Sequence, residues 1–93
     1  EDERELDTLD RNISAAQGRI RGYIRRMDSE IAALRQKKRR ANNNLAGATW
    51  ETSISSEMEA TTKKYDALID IEQSRIDHYR KRKNRLEDKL GLL

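Results

Sequence analysis

His78 is the only histidine in the chain, and it stands between Asp77 and Tyr79, the kind of setting in which a general base or a metal ligand is sought first. The apolar periodicity described below places it off the helix seam, so a solvent-facing role is expected of it. Glu57 with Glu59, and Asp66 with Asp70, add carboxylates at helical spacing. No Glu-x-x-His pair joins them, so the ligand set of a di-metal helical bundle is missing. The sequence has no cysteine to act as nucleophile, disulfide partner or thiolate ligand, and no glycine-rich phosphate loop. The expectation is a protein that is not an enzyme, with no catalytic residue, metal site or cofactor.

Residue types suited to binding are more prominent. Trp50 is the single tryptophan, set in a polar Ser/Thr-rich stretch where an indole is costly to expose; it should cap a bundle end or enter a partner's pocket. Ser14, Gly18 and Gly22, extended by Ala15, Ser29 and Ala33, form a stripe of small residues. Helical glycine costs about 1 kcal/mol against alanine, so Gly18 and Gly22 suggest either a groove for close approach of a partner helix or a local kink. Charge is banded: residues 1–10 carry six acids against Arg4, while 35–40 and 80–85 are each five-sixths basic. Arg19, Arg21, Arg25 and Arg26, together with Arg75 and Arg80, would make a basic waist for an acidic partner or a phosphate surface. The aromatic interleaving of single-strand nucleic-acid binders is absent, as are zinc-finger, homeodomain and RNP patterns.

The elements that must carry these residues follow from periodicity. Every seventh residue from Leu6, through Ile13, Ile20, Met27 and Leu34 to Ala41 and Ala48, is apolar. A second line, Leu9, Ala16 and Tyr23 and then Ile24, Ile31 and Leu45, completes the seam, with Lys38 the polar exception and a stutter near residue 23. The second half repeats the pattern through Met58, Tyr65, Ile69, Glu72, Ile76, Tyr79, Lys83, Leu86 and Leu90. With no proline or valine, 34% hydrophobic and 40% charged residues, and 20 basic against 17 acidic groups, a sheet fold or a large globular core is not expected in 93 residues. No apolar run approaches the roughly 20 residues of a bilayer span, and the acidic start is unlike a signal peptide. A start at Glu1 without methionine suggests a trimmed chain.

The fold class expected is all-α, an antiparallel two-helix hairpin of coiled-coil type forming one domain over 1–93. Helix 1 is predicted over about 3–41, the turn over about 42–53 and helix 2 over about 54–91. Asn42, Asn43, Asn44 and Gly47 mark the turn, and Ser56 with Glu59 offers a capping box, with Thr49 or Ser53 as earlier caps. Pairing Ile13 with Leu86, Ile20 with Tyr79 and Leu34 with Tyr65 gives residue numbers adding to 99, centred between Thr49 and Trp50. Two helices cover one flank of each other, so completion to a helical bundle by a partner is expected.

Two long helices with a tryptophan at the midpoint resemble the small WxG-motif hairpins of type VII secretion, and most closely the small α-helical partners of LXG-domain toxins. The resemblance spans nearly the whole chain and includes the stretch from Tyr65 to Glu72. Trp50 matches the family tryptophan, but Thr52 stands where the motif has glycine, and neither Tyr65 nor Tyr79 is followed four residues later by an acid as in the family's tail signal. The resemblance implies a bacterial, cytoplasmic adaptor, co-exported or left behind, that binds an LXG-type toxin domain or a sister hairpin, or pairs with its own copy. Trp50, Gly18, Gly22, Leu34, Leu45, Ile54 and Met58 are then the partner-binding residues. Leu6, Ile13, Ile20, Ile24, Met27, Ile31, Tyr65, Ile69, Ile76, Tyr79 and Leu86 form the seam. The alternative is a basic coiled-coil module binding nucleic acid or another anionic surface.

Overall fold

The chain is an all-α helical hairpin; its computed structural model describes residues 1–41 and 47–91, with side chains over 1–40 and 50–91. Helix α1 runs Asp2–Ala41 over 40 residues and helix α2 runs Gly47–Lys89 over 43, and no strand occurs among the described residues. Asp2, Glu3 and Glu5 open α1 and Lys38, Arg39 and Arg40 close it, so both ends of that helix carry the charge that complements its dipole. Beyond Lys89, the Leu90 amide reaches the Leu86 carbonyl and the Gly91 amide the Asp88 carbonyl. Gly91 there has φ of 72°, the left-handed conformation that ends helices at glycine.

Helix α2 begins at Gly47, not at about 54. Residues 47–53 are helical although Gly47 and three Ser or Thr residues stand among the seven, and tertiary contact supplies the reason: Ile54 is buried and Glu51 pairs with Lys38 of α1. Ser56 and Glu59 therefore lie inside α2, where Glu59 pairs with Lys63 instead of capping the helix. Of the expected turn, residues 42–46 lie outside the described residues, and Leu45 with them.

The chain divides into two compact units, a terminal one formed by Glu1–Arg21 with Ile69–Leu93 and a central one formed by Gly22–Leu68. In the terminal unit Ile13, Ala16 and Ile76 form a buried cluster, with Ile20 and Tyr79 packed on it, and Leu9 and Leu86 are also buried. Leu6 and Ile69 are half-buried. In the central unit Ile54 and Tyr65 are buried, and Met27, Ile31, Leu34 and Met58 are half-buried. Ile24, expected in the seam, is 41% exposed. Its neighbour Tyr23 takes that level instead, with its ring 6.3 Å from that of Tyr65.

The register also differs from the expected one. In the terminal unit Arg19 meets Glu72 and Asp10 meets Lys83, pairs whose numbers add to 91 and 93; in the central unit Lys38 meets Glu51, adding to 89. These lie near 92, one heptad short of 99. Stripes of period seven face each other again after a seven-residue slide, so both registers satisfy the apolar pattern. The helix ends decide between them: α1 stops at Ala41 and α2 begins at Gly47.

Ile76→Ala removes a side chain with 2% exposure from the terminal cluster, and it should cost about 2–5 kcal/mol in urea unfolding followed by circular dichroism. Ile71→Ala, at a site 51% exposed, should stay within about 0.5 kcal/mol. A Cβ on Gly22 would meet nothing within 4 Å and one on Gly18 only the end of Arg21 at 3.8 Å; Gly22→Ala should accordingly stabilise by about 0.5–1 kcal/mol.

Candidate functional site

The central unit carries an open groove between its two helices. Ala33 and Leu34 of α1 and Ala60 and Thr61 of α2 form its floor, Glu30, Lys37 and Glu57 line its edges, and its volume is about 470 Å³. Small side chains at 33 and 60 make the groove: Leu34 is half-buried at the seam, and flanking alanines leave room for a third helix to approach. One end is fixed by Tyr65, whose hydroxyl donates to Glu30 at 2.9 Å while Lys64 Nζ sits 5.0 Å from the ring centre. That hydrogen bond, together with burial, raises the Tyr65 pKa above 10.0, because ionising the phenol would set two anions side by side.

Of the expected partner-binding residues, Leu34 lines this groove, Met58 is half-buried in the same unit, and Ile54 is buried, hence occupied by the hairpin itself. Trp50 lies within α2 rather than in a turn and is 53% exposed. Gly18 and Gly22 are half-buried, and nothing in the chain approaches either closely enough to require glycine. The groove was the feature that sequence reading missed. Its signal was present as Ala33 and Ala60 beside the two stripes, but only the correct register brings them to the same level.

The terminal unit holds the one buried charged side chain among the described residues, Glu72, 2% exposed. It occupies a seam position and accepts from Arg19 of α1 and from Arg75 one turn along α2. Thus two members of the expected basic waist do meet, but around a carboxylate. The hydrogen bond from Arg19, aided by that from Arg75, holds the Glu72 carboxyl below the ordinary 4.5 of glutamate, against a desolvation that pushes the other way. Toward the chain ends, Arg82 grips both oxygens of Glu5 at 2.8 and 3.3 Å, Lys83 reaches Asp10 at 2.7 Å, and Lys89 reaches Asp2 at 3.2 Å. These contacts raise the pKa values of Arg82 and Lys83, through hydrogen bonds to Glu5 and Asp10 respectively. The basic run 80–85 is therefore partly neutralised by the acidic start of α1.

His78 is exposed, its ring 6.2 Å from that of Tyr79, in a shallow surface hollow with Ile71, Ser74 and Arg75. Among the described residues no group of three His, Asp or Glu side chains is placed to hold a metal ion, and no helix is long and apolar enough to cross a membrane. No protein-family model, no curated protein and no solved structure matches this chain.

Glu72 gives the terminal unit a testable pH dependence. Its folded pKa is depressed, so its stabilisation is present above 4.5 and is lost as pH falls through the folded value. Glu72→Leu extends the apolar seam and removes two arginine contacts, and should be neutral or stabilising at pH 3 relative to the parent chain. Removing the partners instead, with Arg19→Ala and Arg75→Ala together, should cost about 1–3 kcal/mol at pH 7 by urea titration, because a shielded carboxylate loses both donors.

Proposed function

We propose that this chain is a helical-hairpin adaptor that binds a helical protein partner through the central groove. The observation that carries the reading is the groove itself: a lining of Ala33, Leu34, Ala60 and Thr61 flanked by charged side chains, left open beside a seam whose two helices cover only one flank of each other. A partner helix laid there would bury Leu34 and the two alanines, and each large apolar side chain it contributes is worth about 1.5–3 kcal/mol when removed from water. Small residues at the contact let helix axes approach closely, which favours a helix over a loop as the occupant. Glu30, Lys37 and Glu57 along the edges would set the orientation of that helix by charge.

The resemblance to small hairpins of type VII secretion supplies the partner class: the helical amino-terminal domain of an LXG-type toxin, or a sister hairpin, presented for export. In that arrangement the hairpin acts as a scaffold, and the mechanism is burial of helix on helix with no chemical step.

The test is co-purification with an LXG-type toxin domain or a sister hairpin, followed by titration of two groove variants. Ala33→Glu and Ala60→Glu place a carboxylate on the groove floor at exposed positions, where the helix-propensity cost is only a few tenths, about 0.4 kcal/mol. Each should weaken partner binding at least about tenfold while leaving far-ultraviolet circular dichroism unchanged. Undiminished affinity in both variants, or an unmodified chain that binds neither an LXG-type domain nor a sister hairpin, would contradict the reading.

A further inference from the structure

Five of the six residues from 35 to 40 are cations, and the structure divides them by direction. Lys38 turns to α2 and reaches Glu51 at 3.9 Å, whereas Arg35, Lys37, Arg39 and Arg40 are exposed, with no acid partner among the described residues. At 3.6 residues per turn these four spread over about 200° of the helix circumference, and Lys38 falls in the remaining arc. The helix dipole favours cations in the last turn, which accounts for Lys38, Arg39 and Arg40 but not for Arg35 about one turn earlier or for the breadth of the fan.

The second observation is Trp50. It is the neighbour of Glu51 in α2, so the Lys38–Glu51 contact sets its indole at the same level as the cation run, and it is 53% exposed. An exposed indole beside a broad fan of guanidinium and ammonium groups matches the interface of an anionic bilayer. There the ring sits among headgroups with its N–H wet, and the cations meet lipid phosphates and carboxylates. A nucleic-acid strand would call for cations along one track with several aromatics to stack its bases; here the cations fan outward and a single aromatic accompanies them.

We propose that this end of the central unit docks on an anionic phospholipid surface, with Arg35, Lys37, Arg39 and Arg40 on the headgroups and Trp50 at the interface. Only Lys37 belongs also to the groove, so the inference goes beyond the adaptor reading and stands or falls separately from it. Each cation near such a surface strengthens binding about fivefold, and reversing three of them should weaken it more than about fiftyfold.

Vesicles of phosphatidylcholine with about one-third phosphatidylserine are the probe, read by co-sedimentation and by the emission of the single tryptophan. The expected result is binding with a blue shift of Trp50, reversed by about 0.5 M salt, and no binding to pure phosphatidylcholine. Arg35→Glu, Arg39→Glu and Arg40→Glu together, none of them lining the groove, should abolish binding with helicity intact. Lys81→Glu with Arg85→Glu, in the other basic run, should leave it within about twofold. Equal binding to neutral vesicles, equal weakening by the Lys81 and Arg85 reversals, or quenching of Trp50 by single-stranded RNA without any vesicle binding would overturn the proposal.

Discussion

Glu72 and its two arginines are the constraint that the packing of the hairpin must satisfy. A carboxylate at a seam position is costly to shield unless hydrogen-bond donors reach it, and Arg19 from the opposite helix and Arg75 from its own supply them. The apolar stripes alone do not choose between registers one heptad apart, because every seventh residue offers the same face. The positions of the helix ends and the ion pairs toward the chain ends do choose. At a sum of 99 Glu72 would face Met27 with Arg26 alongside, just as near 92 it faces Ile20 with Arg19 alongside, so its carboxylate is met in either register. Arg82 and Lys83, by contrast, would face Gln17 and Ala16 and lose Glu5 and Asp10. The arginines remain about half exposed, so the carboxylate is sealed by flexible side chains rather than by a deep core.

Much of this was legible in the sequence. The seven-residue stripe from Leu6 to Leu34 and the 4–3 spacing from Tyr65 to Leu86 fix two long helices, and with no proline the chain has nothing to break them. The antiparallel hairpin follows from the helix-stopping residues near its middle. The register did not follow, since the Ser/Thr-rich stretch 49–53 reads as turn on propensity while the structure makes it helix. What overrides propensity there is Ile54 against the seam and Glu51 against Lys38, contacts that no local pattern announces. Ile24 shows the same limit on a smaller scale. Tyr23 and Ile24 are both apolar enough for the seam, and the choice of Tyr23 rests on its facing Tyr65.

The candidate site was less legible than the fold, for a related reason. A groove is a property of two helices at once, so Ala33 and Ala60 become neighbours only after the register is known. Trp50 was conspicuous by type, yet its setting changed from a turn to a helix face once α2 was seen to start at Gly47. The charge bands also divided on inspection of the structure. Residues 80–85 spend part of their charge on Glu5 and Asp10 within the terminal unit, whereas 35–40 keep four cations facing outward. Two runs of equal composition therefore have unequal capacity to meet an anionic partner, and the difference lies in what the opposite helix presents.

The most direct test of this account is cysteine bridging in a chain that has no cysteine of its own. A disulfide needs Cα atoms within about 7 Å, whereas a one-heptad slide moves facing residues about 10 Å apart along the axis, so bridging separates the two registers cleanly. Ala16→Cys with Ile76→Cys joins two members of the terminal cluster, and mild oxidation should close it within one chain while helicity is kept. Ile13→Cys with Leu86→Cys tests the register one heptad away and should stay reduced. The reverse pattern, with 13 and 86 bridged and 16 and 76 free, would contradict this register and the groove built on it.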